Sequence, residues 1–180
     1  MIEPEAFVDE RGWFGETYRK SEFSGQGVTF DFVQDNHSYS KLKGTLRGLH
    51  FQKEPAAQGK LVRCVSGEIF DVAVDIRRGS PTYAKWVSAR ITSDSHGAIW
   101  VPPGFAHGIL TLIDDSEVIY KLTSEYSPND ERSIRWNDPA LGINWPLGNP
   151  ILSKKDAQAP LLSEVDNNYV WSAKHTIASA

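Results

Sequence analysis

The 180-residue sequence has one cysteine, Cys64, so it has no internal disulfide and a reducing compartment is favoured. It lacks an apolar run near the ~20 residues that a membrane-spanning helix needs. It also lacks a basic excess, because 19 Lys and Arg residues face 23 Asp and Glu residues. Residues 1–5 show no basic and apolar regions of a signal peptide. We therefore expect a cytoplasmic protein without nucleic-acid or membrane partners.

The composition and patterning indicate a single β-rich domain. Hydrophobic residues make up 40% and charged residues 23%, which is typical of a globular chain. Apolar residues alternate with polar ones in short segments separated by turn residues, which predicts antiparallel strands in a sandwich or barrel. These segments are residues 67–76, 83–91, 98–101, 109–113 and 117–122. Short helices are predicted at 137–141 and 153–157. We assign residues 1–170 to one domain and 171–180 to a flexible tail.

Residues 46–52 (LRGLHFQ) place a cation and an imidazole around a glycine. Simple strand alternation would put Arg47 and His50 on opposite faces, so Gly48 predicts a β-bulge that turns both toward one cavity. By itself, a histidine in a β-rich chain is more often structural than catalytic. His107, in residues 102–108 (PPGFAHG), follows a stiff turn and could likewise be either structural or catalytic.

The residues argue against metal and nucleophilic chemistry. Metal-binding cupins carry His-x-His in their first motif, whereas Gln52 stands two positions after His50. One imidazole from each motif falls short of three protein ligands, so no metal is predicted. Cys64 lies in an apolar strand, and no nucleophile elbow or phosphate-binding glycine loop is present. Proton transfer, with His50 as base and a tyrosine as acid, is the chemistry that remains.

Six ordered motifs resemble the dTDP-4-dehydrorhamnose 3,5-epimerase family, over residues 2–160. They lie at residues 9–14 (DERGWF), 32–38 (FVQDNHS), 46–50 (LRGLH), 58–63 (QGKLVR), 102–108 (PPGFAHG) and 135–139 (RWNDP). The resemblance implies an all-β, cupin-type antiparallel jelly-roll barrel or sandwich with a few short helices. It also implies an isomerase of deoxysugar biosynthesis that needs no cofactor, because the ketone of the substrate itself stabilises the carbanion.

The resemblance also implies roles for individual residues. His50 matches the general base, Asp156 the carboxylate that orients it, Tyr120 the opposing acid and Lys60 the cation near the C4 oxygen. The substrate would be a dTDP-4-keto-6-deoxyhexose. The matched substrate-binding positions are Arg11 and Arg47 for the diphosphate, Tyr126 for stacking on thymine, and Phe14, Glu16, Gln34, Asp35, Asn36, His107, Glu131 and Lys155.

The family resemblance implies a homodimer in which Arg11, Phe14 and Glu16 reach the site of the neighbouring subunit. Relatives carry about ten residues ahead of the segment at which this chain begins, so the dimer contact is expected to differ. Phe14 could equally be a core residue. Glu16 and Glu131 could be solvated, and Lys155 could be an ordinary surface charge.

Two alternatives to a 3,5-epimerase of rhamnose biosynthesis stay open. A relative that epimerises only C3 or only C5 in another deoxysugar pathway would keep His50, Asp156 and Tyr120, because each reaction begins with the same deprotonation. A non-catalytic cupin that binds sugar nucleotides is the second alternative. Such a protein would have no use for a base, its carboxylate partner and an opposing acid together.

Overall fold

A computed structural model describes residues 1–172. Within this range the chain forms eleven strands, two short α-helices and one 3₁₀ turn at Ser93–Ser95. The strands are β1 (Ala6–Asp9), β2 (Gly12–Gly15), β3 (Gln34–Ser40), β4 (Leu46–Gln52), β5 (Lys60–Ser66), β6 (Glu68–Asp75), β7 (Trp86–Thr92), β8 (Ala98–Val101), β9 (Phe105–Thr111), β10 (Ser116–Leu122) and β11 (Glu131–Ser133). The helices are α1 (Lys20–Gly25) and α2 (Lys154–Ala157).

Nine of these strands form two antiparallel sheets, and β1 pairs with β2 in a separate hairpin. The four-stranded sheet has the order β3-β10-β5-β8, and the five-stranded sheet has the order β11-β4-β9-β6-β7. Strands distant in sequence are therefore neighbours in space, as in jelly rolls, where chain connections cross between sheets. The predicted all-β jelly-roll sandwich with a few short helices is confirmed.

Strand alternation divides the buried side chains between two layers. On β6, Ile69 and Ala73 face the four-stranded sheet and meet Val62 and Val118. The opposite face of β6 contacts the chain that follows β11. Because the five-stranded sheet is covered on both sides, β6 and β9 are almost entirely buried rather than half exposed.

The elements differ from the predicted ones mainly at their ends. The strand predicted at 109–113 is β9, which begins at Phe105 because it pairs with β6 from Asp75 onward. The predicted helix at 137–141 is wrong. Those residues form turns, in which the buried Asp138 carboxylate accepts hydrogen bonds from the main-chain N–H groups of Ala140 and Leu162. The helix predicted at 153–157 is confirmed as α2.

At the C-terminus, the main-chain N–H of Trp171 donates a hydrogen bond to the carbonyl of Arg78 at 2.9 Å. Residues 173–180 of the predicted tail, 171–180, lie outside the described residues. Within residues 1–172, no helix is long and apolar enough to cross a membrane.

Candidate active site

A cavity of about 560 Å³ opens between residues of both sheets, and its walls hold most of the predicted catalytic side chains. Its volume lies within the range of ligand pockets, roughly 300–1,000 Å³. The predicted site residues that line it are Gln34, Asn36, His50, Lys60, Tyr120, Tyr126, Glu131 and Lys155. Phe51, Gln52, Gln58 and Leu122 complete the lining.

The bulge predicted at Gly48 is present on β4. Arg47 lies opposite Ile109 of β9, and His50 lies opposite His107. Two residues of β4 therefore face one residue of β9 between these pairs, which puts Arg47 and His50 on the same side of the sheet. Gly48 has a φ of +134°, and a Cβ atom there would come within 2.5 Å of the Cα of Gly108. Only glycine fits this close approach of the two backbones.

His50 is held by a buried carboxylate. Its Nε2 lies 2.5 Å from Oδ1 of Asp156, and Oδ2 of Asp156 accepts a hydrogen bond from the hydroxyl of Ser153 at 2.9 Å. Burial alone would raise the pKa of Asp156, but the hydrogen bond from His50 and its charge hold that pKa below its ordinary value. An ionised Asp156 assigns the Nε2 proton to His50 and leaves the Nδ1 lone pair available as a base. Nδ1 has no hydrogen-bond partner within residues 1–172.

Helix α2 places this carboxylate. Ser153 is the N-cap of α2, and its hydroxyl accepts a hydrogen bond from the main-chain N–H of Asp156 at 3.1 Å. The same hydroxyl donates to the Asp156 side chain, so one serine fixes both the main chain and the carboxylate. Ser153 was not among the predicted site residues. A serine three positions before an acidic residue is a capping signal that identifies such a residue from the sequence.

Lys60 projects from β5 beside the dyad of His50 and Asp156. Its ammonium donates a hydrogen bond to the main-chain carbonyl of His50 at 3.3 Å. Burial lowers the pKa of Lys60 to about 8, and the carboxylates of Asp71 and Glu131 offset only part of this effect. Lys60 is therefore a weakly solvated cation that can stabilise a developing negative charge in the cavity.

His107 does not line this cavity, although it pairs with His50 across β4 and β9. Its Nε2 is 2.8 Å from Oδ2 of Asp71, and both residues are buried. The other carboxylate oxygen of Asp71 is buried without a hydrogen-bond partner in the described chain. The Asp71 carboxylate supplies part of the negative charge near Lys60.

A network of polar groups joins Tyr126 to the rest of the cavity. The Tyr126 hydroxyl donates to Oε2 of Glu131 at 3.0 Å, and Lys155 forms an ion pair with the same oxygen at 2.5 Å. Burial would raise the pKa of Glu131, but the hydrogen bonds from Lys155 and Tyr126 lower it. The main-chain N–H of Tyr126 donates to the side chain of Gln34 at 2.8 Å, and Gln34 in turn bonds Asn36.

Two predicted site residues of the sheets are placed outside this lining. Arg47 donates from its guanidinium to the hydroxyl of Ser40 at 3.3 Å and to the carbonyl of Tyr39 at 3.0 Å. Asp35 forms an ion pair with Lys121 at 3.0 Å. Because Asp35 lies between Gln34 and Asn36 on β3, alternation turns its side chain to the outer face of the sheet.

The predicted residues of the N-terminal segment are also absent from the lining of this cavity. Arg11 is 85% exposed in its side chain and pairs with Asp9 of the same hairpin. Phe14 is 73% exposed, and Glu16 pairs with Arg19 at 2.6 Å. None of the three lines the 560 Å³ cavity of its own chain.

Within residues 1–172, no group of three or more His, Cys, Asp or Glu side chains is arranged to hold a metal ion. Cys64 is buried, donates weakly to the carbonyl of Ser66, and does not line the cavity. Burial raises the pKa of the Cys64 thiol to about 11, which keeps it protonated and unreactive at neutral pH.

The chain is similar to known proteins over most of its length. Residues 1–164 match the family described as dTDP-4-dehydrorhamnose 3,5-epimerase. A dTDP-4-dehydrorhamnose 3,5-epimerase of Salmonella typhimurium is 54% identical over 168 residues, which are 91% of this chain and 90% of that protein.

Solved structures show the same similarity. The crystal structure of an epimerase from Legionella pneumophila in complex with dTDP-4-keto-L-rhamnose has a TM-score of 0.91 and 46% identity, covering 95% of this chain and 92% of that one. A 3'-monoepimerase from Streptomyces bikiniensis, solved with dTDP as a double mutant with His→Asn and Tyr→Phe substitutions, has a TM-score of 0.85 and 35% identity, covering 90% and 82%. The predicted resemblance is confirmed: this chain belongs to the dTDP-4-dehydrorhamnose 3,5-epimerase family.

Proposed function

We propose that this chain is an epimerase that converts dTDP-4-dehydro-6-deoxy-D-glucose to dTDP-4-dehydro-L-rhamnose. The observation that carries the proposal is the position of two groups across one cavity. His50 stands on β4 of the five-stranded sheet, and Tyr120 stands on β10 of the four-stranded sheet. Inversion at carbon requires a proton to leave one face and return to the other, so a base and an acid are needed on opposite walls.

The base step uses the histidine dyad. Nδ1 of His50 takes the proton from C3 or C5, and the electrons of the C–H bond move into the C4 ketone as an enolate. The positive charge that His50 gains is stabilised by Asp156, 2.5 Å from Nε2. Tyr120 then donates its hydroxyl proton to the same carbon from the opposite side. His50 then releases its extra proton to the solvent, and Tyr120 takes a proton back from it, so both groups are ready to act again. Repetition at the second carbon gives the doubly inverted product.

The enolate step uses Lys60. Removal of the C–H proton places negative charge on the C4 oxygen, and a buried cation beside that oxygen lowers the barrier. Lys60 is the cation of the cavity wall that lies beside the dyad, as its bond to the carbonyl of His50 shows. The ketone, the enolate and their proton donors need no cofactor in this scheme.

We assign the nucleotide to the end of the cavity that contains Tyr126. Its ring is 53% exposed and free to stack on thymine, while its hydroxyl and main chain are held by Glu131 and Gln34. Lys155 at this end brings positive charge for the diphosphate. We keep three further residues as ones that contact the substrate or hold side chains that do: Asn36, Arg47 and His107. The role of Asp35 stays a prediction from the family resemblance.

We propose that a second copy of the chain completes the site. The β1-β2 hairpin exposes four large apolar side chains, Phe7, Val8, Trp13 and Phe14, at 50% or more. Such a patch on a soluble protein marks an interaction surface. Arg11, Phe14 and Glu16 lie on or just after this hairpin and miss their own cavity, which supports their contribution to a neighbouring subunit in a homodimer.

A single inversion is the second candidate function. The 3'-monoepimerase from Streptomyces bikiniensis belongs to the same fold and was solved with one histidine and one tyrosine replaced. The two replaced positions are separated by the same number of residues as His50 and Tyr120. A histidine and a tyrosine with this spacing therefore occur in a relative that inverts one carbon, and the product decides between the two candidates.

The test is to incubate the protein with dTDP-4-dehydro-6-deoxy-D-glucose in deuterated water and to follow C3 and C5 by NMR. We expect deuterium at both carbons and dTDP-4-dehydro-L-rhamnose as product. Exchange and inversion at one carbon alone would establish the single epimerase. The absence of both exchange and inversion would refute the proposed function.

The variant Tyr120→Phe separates the acid from the base. The enolate still forms in this variant, and His50 can return a deuteron to the face from which the proton left. We expect exchange to proceed faster than inversion, whereas Tyr83→Phe, outside the cavity lining, should behave as wild type. If Tyr120→Phe inverts as fast as it exchanges, Tyr120 is not the acid.

A further inference from the structure

Gln52 is buried two residues after His50 on β4, at the position where a metal-binding cupin would carry its second histidine. Its side-chain amide is fully engaged by main-chain groups. Nε2 donates to the carbonyls of Ala56 at 2.7 Å and Glu125 at 3.1 Å, and Oε1 accepts from the N–H of Ser127 at 2.8 Å. One side chain thus ties the catalytic strand to two separate loops.

The second of these loops carries Tyr126. Gln52 bonds the residue immediately before Tyr126 and the residue immediately after it. The N–H of Tyr126 itself bonds Gln34, and its hydroxyl bonds Glu131. The main chain on both sides of the exposed ring is therefore fixed from β4, while the ring stays free for a ligand.

The chemistry of the amide suits this task. Two carbonyl oxygens need two donors, and one main-chain N–H needs an acceptor, and a glutamine amide supplies all of these groups from one planar end. Glutamate would offer no donor, and leucine would offer neither donor nor acceptor. Removal of the amide would leave three main-chain groups without these partners at partly buried positions, which is costly.

We propose that Gln52 is a positioning residue for nucleobase recognition: it holds the loop at 125–127 so that the ring of Tyr126 is pre-formed for stacking on thymine. This inference rests on the proposed function. Because Gln52 acts on the nucleotide end and not on the dyad, its loss should weaken binding and spare the chemical step. A pre-formed ring avoids the entropy cost of ordering the loop when the ligand binds.

The experiment measures dTDP affinity by calorimetry, and kcat and KM by the epimerisation assay, for wild type and Gln52→Leu. We expect the Kd for dTDP and the KM to rise about 10- to 100-fold, which corresponds to about 1.4–2.8 kcal/mol, with kcat within about threefold of wild type. Asn167→Leu is the matched control, because its amide bonds the carbonyl of Ile76 and the N–H of Tyr169, neither of which belongs to the loop at 125–127. This control should leave the Kd for dTDP and the KM unchanged.

A double-mutant cycle with Tyr126→Ala tests the route of the effect. If Gln52 acts through Tyr126, Gln52→Leu should weaken dTDP binding little further once the ring is absent. Gln52→Glu, which keeps the shape and loses both donors, repeats the measurement if the leucine variant does not fold. Wild-type Kd in the folded variant, additive effects in the cycle, or a fall in kcat at unchanged KM would overturn the inference. Wild type that neither binds dTDP nor epimerises would instead overturn the proposed function.

Discussion

Replacement of Lys60 by methionine should make the protein more stable and nearly inactive at the same time. Lys60 is a cation held in a cavity wall, where burial lowers its pKa from 10.5 to about 8. The folded state therefore binds this proton more weakly than the unfolded state does. The buried charge of Lys60 therefore lowers the free energy of unfolding. This penalty is fully present below pH 8 and disappears as the pH rises through 10.5, because the unfolded chain then loses its proton as well.

The magnitude follows from the shift. One pKa unit corresponds to about 1.4 kcal/mol, so lowering the pKa from 10.5 to about 8 gives an upper bound of ~3 kcal/mol. The side chain keeps partial contact with the solvent of the cavity, so we expect Lys60→Met to raise the free energy of unfolding by about 1–3 kcal/mol at pH 7. Loss of a donor to the enolate oxygen should lower kcat by about 10²–10³-fold.

The assay combines urea unfolding at pH 7 and pH 10 with kcat/KM measured from pH 6 to pH 10. The stabilisation of Lys60→Met should shrink at pH 10, and the wild-type kcat/KM should fall with a pKa of about 8 as Lys60 loses its proton. Lys60→Arg should lack that alkaline limb. Lys85→Met, an exposed control, should change neither property. Wild-type turnover in Lys60→Met, or a lower unfolding free energy at pH 7, would refute the reasoning.

Two further predictions concern the dyad and the assembly. His50→Asn should lower kcat by about 10²–10⁴-fold while dTDP still binds in calorimetry, because it removes the base and leaves the nucleotide end intact; near-normal turnover would contradict this role. A mixture of inactive Arg11→Ala and His50→Asn proteins should regain up to about one quarter of wild-type activity after subunit exchange, since half of the dimers would contain one intact site. No recovery after exchange shown by mass spectrometry would mean that each subunit builds its own site.

The strands were predictable because each presents one face to a core. Residues 98–101 were predicted with the bounds that β8 has, and β6 begins one residue after and ends one residue before its predicted segment. The hairpin β1-β2 and helix α1 were not predicted. Their side chains give little periodic signal, since the hairpin is almost entirely exposed and α1 buries only Phe23.

The residues proposed for the site could be named from the sequence, but their contacts could not. His50 and Asp156 are 106 positions apart, and only the fold brings them together. The family resemblance matched both. Ser153 carries a capping signal in the sequence, whereas Gln52 acts through main-chain hydrogen bonds that no motif reports. Gln52 entered the sequence argument only as a missing metal ligand. Its actual contacts depend on where the loops at 56 and 125–127 lie, which is tertiary information.

The jelly roll itself explains why the proposed acid and the proposed base oppose each other. Two sheets that face one another give a cavity with two walls, and side chains that point inward from different sheets approach a ligand from opposite sides. Tyr120 pairs with Asn36 and Val62 within the four-stranded sheet, and His50 pairs with His107 within the five-stranded sheet. A planar enolate between the walls would present one face to each group. Inversion thus follows from the sheet to which each residue belongs, and moving the acid to β9 or β11 would place both groups on one wall and allow exchange without inversion.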